Sequence, residues 1–125
     1  MDMIIGGAYQ GKLEFAREKY GFKEEDIFVC TEDTEISFDK PCVAGLEEFV
    51  MYCIKNDLSA RDIFEENSKK WQNSVFICRE IFSGVVPMDS LMRRWRDETG
   101  RVFTYLAGKA DTVTRMFCGI PQKLK

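Results

Sequence analysis

The segment that most restricts what this chain can fold into is MIIGGAYQGKLEFAREKYG, residues 3–21. A short apolar run ends in Gly6 and Gly7, and Leu13, Ala16 and Tyr20 then repeat at helical spacing until Gly21 stops the helix. A glycine-rich passage from a buried strand into a helix is a device of parallel α/β sheets. It aims backbone N–H groups and the positive end of the helix at one point, where an anion can sit. Gly6, Gly11 and Lys12 satisfy the G-x-x-x-x-G-K of a phosphate-binding loop, but Leu13 stands where that pattern requires Ser or Thr. On this reading Gly6, Gly7, Ala8, Tyr9, Gln10, Gly11, Lys12 and Leu13 form the nucleotide-binding loop, and Lys12 steadies the β- and γ-phosphates. Leu13 offers Mg²⁺ no oxygen. Since Mg²⁺ keeps several waters and takes few protein ligands, that loss weakens catalysis more than binding. The competing reading is structural: the glycines make a tight turn and Lys12 is a solvated first-turn residue.

The rest of the chain alternates strand and helix signals. DIFVC, residues 26–30, and SVFIC, residues 74–78, read as buried strands, with a short strand expected at Ile36–Phe38. Val43, Leu46, Phe49, Val50, Cys53 and Ile54 form one apolar face of a helix expected to begin at Val43. Ser59 and Asp62 have the spacing of a capping box, opening a helix that buries Ala60, Ile63, Phe64 and Asn67. The longest helix is expected from Met88 to Ala110, with Met88, Leu91, Met92, Trp95, Val102, Phe103, Leu106 and Ala107 on its apolar side. It starts at an Asp89 cap or a Pro87 first turn. TVTRMFCGIP closes the sheet as a strand halted by Gly119 and Pro121. The pattern predicts a single domain, residues 1–125, of three-layer α/β architecture with a mostly parallel sheet.

Composition removes several functions. With net charge −3 and a sequence pI near 5.1, no overall basic field recruits nucleic acid or anionic lipid, so any phosphate site is local. No apolar run suits a membrane span and no signal peptide opens the chain, so the protein reads as cytoplasmic. Five cysteines, none in a C-x-x-C pair, lie mostly in apolar stretches and read as buried free thiols. The chain has no histidine. Histidine metal sites, His-based triads and nucleotidyl-histidine intermediates are therefore excluded, and no metal site is expected.

A second constellation lies near the carboxyl end. Glu80 follows the SVFIC strand, at the sheet edge where ligands bind in open parallel sheets. REIFSGVVP is then followed by RRWRDETGRVFTYLAGKADTVTRMFCGIPQKLK. Arg93, Arg94, Arg96 and Arg101 read first as the solvated side of the long helix, and an anion clamp would need one of them turned inward.

Together with the amino-terminal loop, these blocks resemble the bifunctional adenosylcobinamide kinase and adenosylcobinamide-phosphate guanylyltransferase family of cobalamin biosynthesis. The family pattern opens with GGxxSGKS and continues with E-V-G-x-G-[IV]-V-P. It then runs R-x-[FYW]-R-D-x-x-G-x-x-N-Q-x-L-A-x-x-A-D-x-V and ends G-x-P-x-x-[LI]-K. Glu80, Gly84, Val85, Val86 and Pro87 match the second block, and Arg94, Trp95, Arg96, Asp97 and Gly100 the third. Leu106, Ala107, Ala110, Asp111 and Val113 continue it, and Gly119, Pro121, Leu124 and Lys125 close it.

The resemblance implies a P-loop NTPase-like fold, a GTP or ATP cofactor with Mg²⁺, a cobinamide-type substrate and a homo-oligomer. It also implies a helix after the second strand whose histidine accepts GMP, which this chain lacks. Leu13 replaces the Mg²⁺-side Ser, Phe103 and Thr104 replace the N-Q amides, and Phe82 replaces a glycine. Asp39 is the nearest candidate for a strand-end carboxylate toward Mg²⁺.

Three functions follow. The chain is a nucleotide- or phosphate-binding module without guanylyl transfer. Alternatively it is an active kinase in which Lys12 and Glu80 are catalytic, Glu80 assisting Mg²⁺ or the attacking hydroxyl. The third reading is a structural remnant.

Overall fold

The computed structural model describes residues 1–81 and 89–125. Glycine and apolar spacing turn into an alternation of strands and helices. The first strand β1 (Asp2–Gly6) leads through the glycine loop into α1 (Lys12–Tyr20), which Gly21 ends with φ of 71°. A 3-10 turn (Glu24–Asp26) precedes β2 (Ile27–Val29), and β3 (Cys42–Ala44) runs directly into α2 (Leu46–Lys55). After α3 (Ala60–Glu66) come β4 (Val75–Arg79), α4 (Ser90–Lys109), β5 (Thr112–Phe117) and β6 (Ile120–Lys123).

The six strands form one sheet in the order β2-β3-β4-β1-β5-β6, parallel throughout except for β6. Because side chains alternate along a strand, the strands from β1 to β5 feed two cores. Met3, Val43, Phe76 and Cys78 point to one face, where they meet Leu46, Phe49, Phe64, Val102 and Leu106 of α2, α3 and α4. Ile4, Cys42, Ala44, Val75 and Ile77 point to the other, where Ala16 of α1 is fully buried. Helices thus cover both faces, giving the three-layer P-loop NTPase-like fold.

Several expectations need correction. Val43 lies in β3 rather than in a helix: its spacing to Leu46 and Val50 mimics a helical face, while the turn at Gly45, with φ of 77°, separates strand from helix. A short apolar run cannot be assigned by periodicity alone. Residues 36–38 form no strand; their half-buried side chains lean on the α2/α3 core from a loop. The closing strand is a hairpin in which Cys118 and Gly119, both at positive φ, turn β5 into β6. Pro121 sits within β6, tolerated because that strand is the sheet's edge. On α4, Leu91 and Met92 are exposed rather than buried. Asp89 caps that helix, its carboxylate accepting the N–H groups of Leu91 and Met92, whereas Met88 and the Gly84–Pro87 match lie outside the described residues. Ser59 caps α3 through the N–H of Asp62, as expected.

Candidate functional site

In a parallel sheet all strand-to-helix loops of one edge converge. Here β1, β3 and β4 deliver the glycine loop, the start of α2 and residues 79–80 to the same edge. Gly6 ends β1, and its carbonyl accepts the Glu80 N–H at 2.9 Å. Gly7 follows, and its carbonyl accepts a hydrogen bond from Lys12 Nζ at 2.5 Å, so the ammonium reaches back across the loop. Ala8 and Tyr9 are exposed, Tyr9 fully so and at φ of 59°. Gly11, at φ of 86°, is the cap of α1, and Lys12 is its first residue. The helix's free amino end therefore opens into the loop. Leu13, half-buried, packs its side chain toward the α1 core.

Beside the loop lies a cavity of about 330 Å³ whose walls include Lys12, Leu13, Ala44, Gly45, Glu47 and Arg79. Glu47 is the residue that sequence reasoning missed. It is 5% exposed, and its Oε1 accepts the Arg79 N–H at 2.8 Å. Burial pushes its carboxyl above the usual range, opposed by the Arg79 N–H and the Arg79 charge. Burial also pulls the Lys12 ammonium down, while Glu47 and Glu80 hold it up. The signal was present in the sequence. Glu47 precedes Val50, Met51 and Ile54 by three, four and seven residues, so it shares an apolar helical face, where a carboxylate without a task is costly.

Trp95, from the R-W-R-D stretch, ties α4 to the start of α2: its Nε1 donates to the Glu47 carbonyl at 2.7 Å. Glu80 is at the expected edge, but its carboxylate is paired with Arg115 of β5 at 3.3 Å. Asp39 is not at the site. It precedes the amino end of β3, at the opposite edge of the parallel sheet, and is exposed. Among the helix arginines, Arg93 and Arg94 are exposed and Arg101 pairs with Glu98. Two larger cavities, about 680 Å³ each, lie away from the loop; one opens among Met1, Trp71 and Asp111, beside the amino ends of β1 and β5. Among the described residues, no group of three or more Asp, Glu or Cys side chains is placed to hold a metal. None of the described helices is long and apolar enough to cross a membrane.

A strand, a glycine loop and a helix, set in a mostly parallel sheet with helices on both faces, define the class: an α/β domain of the P-loop NTPase-like kind. Within that class, residues 41–124, 84 of the 125, match the model of the cobinamide kinase / cobinamide phosphate guanyltransferase family, and the chain belongs to that family. The matched stretch covers Glu47, Glu80 and Trp95 and begins after the glycine loop. No curated protein matches the chain.

Proposed function

We propose that this chain binds the phosphates of a nucleoside triphosphate, GTP or ATP, at the Gly6–Leu13 loop, and that it is a family member without guanylyl transfer. The observation that carries the reading is the Lys12 ammonium drawn across the loop to the Gly7 carbonyl, at the free amino end of α1. A phosphate would exchange that carbonyl for a charged partner and gain the backbone N–H groups of the loop. Family membership supports a nucleotide as the source of the phosphate and a cobinamide-type molecule as the second ligand. The loss of the hydroxyl at residue 13 leaves the backbone cradle intact, so Mg²⁺ contributes little. With no histidine in the chain, labelled GTP leaves no acid-labile, base-stable GMP on it.

Melting in the presence of GTP, ATP or pyrophosphate, with and without Mg²⁺, tests this reading. Ligand at a hundred times its dissociation constant stabilises a fold by about 2.7 kcal/mol, on the order of 10 °C for a domain of this size. Lys12→Ala removes most of that shift, and Leu13→Ser makes it more Mg²⁺-dependent. An unchanged melting temperature with all three ligands at millimolar concentration refutes the proposal and leaves the loop as a turn.

The second reading is an active small-molecule kinase, and Glu47 favours it. Glu80 is held by Arg115, but Glu47 supplies a buried carboxylate in the same cavity as Lys12. If the chain transfers phosphate, Glu47→Gln abolishes turnover in a coupled nucleotide-hydrolysis assay with cobinamide, while Glu80→Gln retains most of it.

A further inference from the structure

The glycine loop does not stand alone: it is fastened to the β5–β6 hairpin, more than a hundred residues later. Gln10 Oε1 accepts the backbone N–H of Cys118 at 2.5 Å, and the Gln10 carbonyl accepts the N–H of Gly119 at 3.2 Å. One residue of the loop therefore takes both N–H groups of the two-residue turn. The fit is close. A side chain at Gly11 would begin 3.5 Å from the Cα of Gly119, and Cys118 and Gly119 hold φ of 51° and 76°. Tyr9, next to Gln10, is itself held at φ of 59°, a left-handed conformation that a non-glycine residue rarely adopts. A strained loop with an exposed neighbour keeps its shape only if something else holds it.

We propose that Gln10 is a positioning residue: its side chain, with its carbonyl, braces the phosphate loop against the Cys118–Gly119 turn and holds it in the anion-binding shape before a ligand arrives. The side-chain oxygen faces the hairpin, so Gln10 acts on a phosphate through the loop backbone. The inference rests on the reading of the loop as an anion site. It adds that the last hairpin of the sheet is part of that site's support, and that ligand and hairpin stabilise one another reciprocally.

Pyrophosphate titration calorimetry and amide hydrogen exchange on the full chain, wild type against Gln10→Ala and Gln10→Asn, test the brace. Asn is one methylene shorter and keeps the amide while losing its reach. Without ligand, both variants exchange the amides of Cys118 and Gly119 faster than wild type, with the strands of the sheet unchanged. Their affinity for pyrophosphate falls roughly three- to tenfold, the loss of one hydrogen bond's worth of pre-organisation. In wild type, pyrophosphate slows exchange at Cys118 and Gly119, and in the variants this protection is lost. Equal affinity in wild type and both variants, or unchanged exchange at the hairpin, overturns the brace while leaving the loop's function standing. A wild-type chain that takes no pyrophosphate overturns the loop's function, and the positioning role with it.

Discussion

Gly6 and Gly7 are adjacent and look equivalent in the sequence, but the structure gives them different work. A methyl group added at Gly6 would lie 2.7 Å from the carbonyl oxygen of Met116 and 3.3 Å from its Cβ. Met116 is the residue opposite Gly6 in the parallel β1–β5 pair, so the obstacle is sheet backbone and not a side chain that can swing away. At Gly7 the nearest atom to an added methyl is Gln10 Cγ at 3.7 Å, an ordinary contact. Gly6→Ala must therefore push β5 off β1 at the centre of the sheet. Overpacking of this kind costs about 1–3 kcal/mol, and the upper half of that range is expected because backbone must move. For a chain of 125 residues, with unfolding entropy near 2.1 cal/mol/K per residue, 2–3 kcal/mol lowers the melting temperature by roughly 10 °C. Gly7→Ala should leave it within about 2 °C and act instead on pyrophosphate affinity, through the loop backbone that must approach the anion. Thermal melts followed by circular dichroism, paired with calorimetric titration, separate the two. A Gly6→Ala chain as stable as wild type would refute the packing of β1 on β5. Loss of stability without loss of binding in Gly7→Ala would refute the loop's role as a cradle.

Glu47 is protonated more readily in the folded chain than unfolded, because burial raises its carboxyl above the ordinary value of 4.5. A raised folded value means that its contribution to stability is greatest at low pH and is lost as pH rises through that value. Urea melts of Glu47→Gln between pH 4 and 8 should lack this component, and an identical pH profile in wild type and variant would refute it. Burial pushes the thiols of Cys30, Cys42 and Cys53 up to about 12, and Cys78 is wholly enclosed, whereas Cys118 is exposed. A disulfide reagent should therefore titrate one thiol in the native chain and five in denaturant; two or more fast native thiols would contradict the burial. Leu91 and Met92 lie exposed on α4, where self-association through this helix would cover them. Light scattering at tens of micromolar should show an oligomer, reduced by Leu91→Lys; a wild-type monomer would refute the assembly.

The order of strand, glycine loop and helix in residues 3–21 was legible in the sequence because each signal is local. Apolar runs, turn glycines and three-to-four spacing act within one element, and the alternation that they spell implies a parallel sheet covered on both faces. The missing histidine and the Leu13 substitution are likewise facts of the chain, independent of how it folds. The strand order, decided only by tertiary pairing, carried the rest. With β4 between β1 and β3, the start of α2 comes to the cavity beside Lys12, and Glu47, already on an apolar side of its helix, acquires Lys12 and Arg79 as neighbours. The same sheet draws Glu80 onto Arg115 and puts Asp39 at the wrong edge, while the antiparallel return of β6 brings Cys118 and Gly119 onto Gln10. Those contacts join residues from 32 to 109 positions apart. Local periodicity holds no information about them, because the free energy that selects them comes from closing the whole sheet and burying both of its faces.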